Sequence, residues 1–94
     1  MGDKEGAAEM TGTLYIVSTP IGNLKDATYR SLELLSDVDL IAAEDTRRTG
    51  VLLKHYKIKT PLTSFNSYNQ VKKSDRLIAR LKEGHNLALV SDAG

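Results

Sequence analysis

Four short β-rich apolar runs, "TLYIVS" (13–18), "VDLIAA" (38–43), "PLTSF" (61–65) and "NLALVS" (86–91), alternate with three segments of helical periodicity. This alternation constrains the fold more than any other feature of the chain. Runs that are apolar at consecutive positions suit strands buried on both faces, as in a parallel sheet covered by helices. Between them, Thr28, Leu32 and Leu35 recur at helical spacing over 27–36, with Asp26 as the predicted N-cap. Thr49, Leu52, Leu53 and Tyr56 share one face of a predicted helix over 46–57. Ser74, Leu77, Ile78 and Leu81 form the stripe of a third helix over about 69–83, and Gly84 is placed to end it in the left-handed conformation. Pro61 suits the first position of its strand. The β-α-β-α-β-α-β order predicts an α/β fold: a mainly parallel, doubly wound sheet with helices on both faces and right-handed crossovers.

A chain of 94 residues holds one such core and not two. Residues 1–12, "MGDKEGAAEMTG", lack periodicity and read as a flexible tail or an added leader, leaving 13–94 as the α/β domain. The chain stops at "VSDAG", directly after the fourth strand, at the edge where α/β folds build their sites. A truncated domain is therefore expected. No cysteine is present, which excludes disulfides and thiolate metal sites and fits a reducing compartment. No apolar run approaches the roughly 20 residues of a membrane span, and no secretory leader is visible, so a cytoplasmic protein is expected. The formal charge is +1, and the leader's three acids and one lysine mask a value near +3 for the remainder. That is mildly favourable to a phosphate-bearing partner and far from a dedicated nucleic-acid binder.

Three loops follow the first, second and fourth strands and so fall on one edge of a parallel sheet. "STPIGN" (18–23) has neither G-x-G-x-x-G nor a Walker glycine pattern. It reads either as an ordinary tight turn or as a rigid Pro-x-Gly rim offering backbone N–H groups to a small ligand. In "EDTRRTG" (44–50), Asp45 suits the start of the next helix, and Glu44 is expected to be solvated or paired with Arg47 or Arg48. The two arginines present planar forks that match phosphate. Gly50 costs about 1 kcal/mol relative to alanine inside a helix, so close approach of another backbone or a ligand is expected there. "SDAG" (91–94) joins a carboxylate to small residues, as a turn or as a ligand loop. "SFNSYNQ" (64–70) places Asn66, Tyr68 and Asn69 in a polar loop suited to base stacking and amide hydrogen bonds, or simply to helix capping. His55 and His85 stand alone without a second ligand at metal spacing, so no metal site is expected.

Taken together and in order, "GTLYIVSTPIGNLKD", "DLIAAEDTRRTG" and "NLALVSDAG" resemble the tetrapyrrole (corrin/porphyrin) methylase superfamily, and within it the methyltransferases of small-subunit ribosomal RNA. The resemblance runs from about Gly12 to Gly94 and implies the N-terminal domain of a two-domain fold. It implies an S-adenosylmethionine-dependent enzyme that methylates the ribose 2′-hydroxyl of a decoding-centre cytidine in 16S rRNA, acting as a homodimer with the cofactor between its domains. On that resemblance Thr19, Pro20, Gly22, Ser91, Asp92, Ala93 and Gly94 match the cofactor cleft. Glu44 and Asp45 match a catalytic signature, and Arg47, Arg48 and Asn69 match the RNA side. Gln70 replaces an acid that follows the asparagine in many relatives. The 94-residue chain alone is then expected to be inactive. Two other readings are a tetrapyrrole-modifying enzyme of the same superfamily and a non-catalytic RNA-binding domain.

Overall fold

Each of the four apolar runs becomes a strand, and each amphipathic segment becomes a helix. The computed structural model describes residues 11–19 and 23–92. Its strands are β1 (Leu14–Thr19), β2 (Leu40–Ala43), β3 (Leu62–Ser64) and β4 (Leu87–Asp92), and its helices are α1 (Tyr29–Asp37), α2 (Thr46–His55) and α3 (Gln70–Lys82). All pairings are parallel and the strand order is β1-β4-β2-β3. The last strand thus enters the middle of the sheet.

The two sheet faces carry separate cores. On one face Val17, Ile41, Ala43, Ala88 and Val90 pack with Leu35 of α1 and with Leu52 and Leu53 of α2. On the other, Ala42 and Leu87 pack with Leu77 and Leu81 of α3. Side chains alternate across a strand, so neighbouring residues of β2 and β4 serve opposite cores. That is why these runs are apolar at consecutive positions. Small residues at Ala42, Ala43 and Ala88, all essentially buried, let the helices lie close to the sheet. The helices therefore cover both faces, as the alternation predicts.

Boundaries differ from expectation in instructive ways. Asp26 does not cap α1: it closes a 3₁₀ turn (Leu24–Asp26), after which Ala27 and Thr28 are extended. Thr28 is the cap, its hydroxyl accepting from the Ser31 N–H at 3.0 Å. The second helix stops at His55, because Lys57 takes a left-handed φ of 59°. Gly84 adopts φ 95° after α3, the conformation the sequence predicts for it. Of the stretch read as a tail, residues 1–10 lie outside the described residues. Gly12 is docked, its N–H donating to the Leu81 carbonyl at 2.8 Å.

At the amino ends of the strands Asn86 fixes the register. Its side-chain oxygen accepts from the Thr13 N–H at 2.9 Å, and its own N–H donates to Asp39 Oδ2 at 2.8 Å. With β1, β4 and β2 pinned there, their carboxyl ends lie at the opposite rim, β1 and β4 reaching Thr19 and Asp92 while β2 ends at Ala43 opposite Val90.

Candidate active site at the carboxyl rim

The rim is assembled by register. Ser18 pairs with Ser91 and Thr19 with Asp92 across β1 and β4, while Ala43 pairs with Val90 on one side and Ser64 on the other. The carboxyl ends of β1, β2 and β4 therefore share one edge of the sheet. Thr19 is buried at 5% exposure, whereas Ser18 and Ser91 are exposed. Pro20, Gly22, Ala93 and Gly94, expected at the cofactor cleft, lie outside the described residues. The far end of the first loop is anchored, because Tyr56 Oη donates to the Leu24 carbonyl at 2.6 Å. Asn23 Oδ1 also accepts from the Lys25 N–H at 2.9 Å.

Glu44 leaves β2 exposed, and among the described residues it makes neither a hydrogen bond nor an ion pair. Asp45 is committed differently. Its Oδ1 accepts from the backbone N–H groups of Arg47 at 3.0 Å and Arg48 at 3.2 Å, capping α2. Chiefly the Arg48 N–H bond, then the Arg47 N–H and the two guanidinium charges, hold the Asp45 carboxyl below its usual range, against a partial opposing effect of burial. A carboxylate stabilised as the anion is a poorer proton acceptor. The arginines that follow are both exposed. Gly50 has room for a methyl group, the nearest atom to an added Cβ being Leu62 Cδ2 at 3.8 Å. Close approach of another backbone therefore does not explain that glycine.

The connection from β2 runs to α2 on one face of the sheet, and the connection from β3 runs to α3 on the other. Connections that diverge to opposite faces open a crevice between the strand ends. One lip is Glu44–Asp45, and the other is the loop Phe65–Asn69. Within that second loop Asn69 uses both ends of its amide internally: Oδ1 accepts from the Asn66 N–H and Nδ2 donates to Ser64 Oγ, each at 2.9 Å. Asn66 Oδ1 in turn accepts from Tyr68 N and Asn69 N. The loop is thereby rigid, and it holds Tyr68 out at 97% exposure.

The histidines take no part in the rim. His55 packs edge-on against Tyr56, and His85 lies at the opposite end near Asp39 and Glu83. Among the described residues no group of histidine and acidic side chains is arranged to hold a metal ion.

The model of the family described as Tetrapyrrole (Corrin/Porphyrin) Methylases matches residues 13–94. The chain belongs to this family. Among curated relatives it is similar to "Ribosomal RNA small subunit methyltransferase I" of Haemophilus influenzae, 56% identical over 92% of the chain and 30% of the relative. It also resembles the protein of that name in Escherichia coli O157:H7, 54% identical over 100% of the chain and 33% of the relative. The Synechocystis protein so named is 57% identical over 88% of the chain and 30% of the relative. The chain thus spans about 30% of the length of the relatives it matches.

Sequence reasoning passed over one surface of this methylase domain. Lys73, Arg76 and Arg80 recur on α3 at i, i+3 and i+7, a spacing that puts them on one side of the helix. That periodicity was legible beside the apolar stripe of the same segment.

Proposed function

We propose that the chain supplies the α/β domain of an S-adenosylmethionine-dependent methyltransferase that acts on the ribose 2′-hydroxyl of a cytidine in 16S rRNA. The reading rests on the close similarity to methyltransferases named for small-subunit ribosomal RNA, joined to a rim that sets a free carboxylate beside two exposed arginines. Such a protein works in the cytoplasm, and we expect it to pair as a homodimer.

The cofactor's contribution is an electrophilic methyl on a sulfonium. The residues at the ends of β1 and β4 suit such a ligand: Ser18 and Ser91 are exposed and offer hydroxyls, the buried Thr19 contributes to the wall, and Asp92 is a carboxylate of the kind that accepts ribose hydroxyl bonds. On the family resemblance Pro20, Gly22, Ala93 and Gly94 are assigned to the same cofactor site.

On the RNA side the roles divide by how each group is engaged. Arg47 and Arg48 contact phosphates and set the register of the RNA without reading bases. Glu44, which is uncommitted, takes the hydroxyl proton as the oxygen attacks. Asp45 positions the arginines through the helix start it caps, and Asn69 positions the loop bearing Tyr68. Alignment of oxygen and methyl supplies most of the acceleration, since proximity and orientation account for about 7–11 kcal/mol in favourable systems.

The test uses the complete polypeptide that carries this chain, methyl-labelled cofactor and under-methylated small subunits. Label should appear in a nuclease-resistant 2′-O-methylated dinucleotide. Label on a base, or none at all, would refute the proposal. Arg47→Ala with Arg48→Ala should weaken RNA binding and spare cofactor affinity, while Glu44→Gln should lower the rate with binding retained. The 94-residue chain by itself should transfer nothing.

A further inference from the structure

Helix α3 carries five basic residues, Lys72, Lys73, Arg76, Arg80 and Lys82, against the single acid Asp75. It lies over β4 and β2, so on that face the outer strand β3 is only partly covered, its residues all half-buried. There a groove of about 430 Å³ opens, floored by Leu40 and Thr63 and walled by Lys73, Arg76 and Arg80. The opposite flank of α3, toward β1, is apolar instead, lined by Leu14, Phe65, Ile78 and Leu89. Three of the five basic residues therefore gather on the groove side of the helix.

Three further observations give this groove a ligand class. Lys73 is held in it by donating from Nζ to Thr63 Oγ1. Arg80 Nε is buried without any hydrogen-bond partner, the sole such side-chain atom noted among the described residues. No ion pair of Lys73, Arg76 or Arg80 with a carboxylate occurs among the described residues. A buried Arg80 Nε without a hydrogen-bond partner, beside two further cations with no carboxylate partner among the described residues, suits this groove to an anionic ligand.

The Lys73–Thr63 end of the groove lies toward the carboxyl rim, Thr63 being the residue before the last of β3. Helix α3 begins immediately after the loop that displays Tyr68, so Lys73 stands nearest the rim and Arg80 farthest from it. A ligand with repeated negative charge and flat rings satisfies both features, and single-stranded nucleic acid has both.

The geometry points to the β3-side groove of α3 as a second RNA-backbone track, in which Lys73, Arg76 and Arg80 hold phosphates of the strand whose base stacks on Tyr68. This track is separate from the Arg47–Arg48 contact, and it rests on the rRNA reading given above. It leads substrate RNA from the crevice between β2 and β3 down the outer edge of the sheet.

The experiment measures anisotropy of a labelled single-stranded fragment of small-subunit rRNA across a salt series, with the complete polypeptide. For single strands each phosphate contact contributes a log–log salt slope of about 0.7, or roughly five-fold in affinity at 0.1 M salt. Arg76→Gln, at an exposed position, should weaken binding about five-fold and reduce the slope by about 0.7. The triple variant Lys73→Gln, Arg76→Gln, Arg80→Gln should weaken it about 100-fold and reduce the slope by about 2. Tyr68→Ala should weaken binding with the slope unchanged, since stacking releases no counterions. Cofactor affinity and melting temperature serve as controls, and the single variant decides the matter if the triple one does not fold. Wild-type affinity and slope in Arg76→Gln, alongside a loss in the Arg47/Arg48 variant, would overturn the track and leave the proposed function standing. A wild-type protein that binds no RNA would overturn both.

Discussion

Replacing Leu35 by alanine tests whether the α1/α2 face is the principal core. Leu35 is 0% exposed and belongs to the cluster that joins α1, α2 and three strands. Truncation removes three carbons, worth about 2.4 kcal/mol at ~0.8 kcal/mol per buried methylene. The surroundings are strands and helices that cannot collapse freely, so a cavity term should raise the loss to about 3–4 kcal/mol, within the ~2–5 kcal/mol seen for such changes. A domain of this size has a total stability of roughly 5–14 kcal/mol, so the variant should lose a large share of it. Urea unfolding followed by circular dichroism should show a midpoint lowered by about 1.5–2 M at an m-value near 2 kcal/mol/M. Ile16→Ala is the internal control, because Ile16 is 66% exposed on the other face of β1. Its cost should stay below about 1 kcal/mol. A Leu35→Ala loss under about 1 kcal/mol, or equal losses for the two variants, would refute the packing argument.

Two glycines should respond to alanine with opposite signs. At Gly12 an added Cβ would overlap the His85 carbonyl, so Gly12→Ala must shift backbone and should destabilise in chemical denaturation. Gly50→Ala adds a methyl in ordinary contact with Leu62, inside α2, and should stabilise by about 0.5–1 kcal/mol. Tyr56→Phe leaves the Leu24 carbonyl without its partner and should cost about 1 kcal/mol in urea titration. Asp45 has a carboxyl pKa held below its ordinary 3.8, so its stabilising effect is present above that pH and fades as pH falls through the lower folded value. The stability gap between wild type and Asp45→Ala should therefore shrink below about pH 4, and a gap that is constant through acid would contradict the capping charge.

The parallel sheet was legible because β2 and β4 are apolar at consecutive positions and are buried on both faces. β1 carries the same pattern, yet Leu14, Tyr15 and Ile16 are exposed and only Val17 and Thr19 are buried, so for that strand the expected two-sided burial does not hold. The shared rim followed from topology alone. What escaped were the choices local chemistry makes between near-equals. Asp26 and Thr28 are both good caps, and the extended backbone at Ala27 decides for Thr28. The strand order, with β4 between β1 and β2, is not written in any one segment, since each strand would pair adequately with several neighbours. Asp45 was legible as the cap of the next helix and Glu44 as a solvated or paired acid; what the letters left open was which of those two fates Glu44 meets, and it stays exposed. The basic flank of α3 was present as a spacing, but it acquires meaning from the partly covered strand beside it.

The placement of β4 carries a consequence for how the chain is made. β1 emerges first from the ribosome, yet it has no bonded strand neighbour until β4 arrives, with Leu14 facing Leu87. During synthesis β1 must wait through the making of every helix, and β2 can zip only to β3 in the meantime. Pairings between such distant segments slow folding. The nascent domain should therefore stay sensitive to protease until the region around Leu87–Asp92 has cleared the exit tunnel, then become resistant in one step rather than strand by strand.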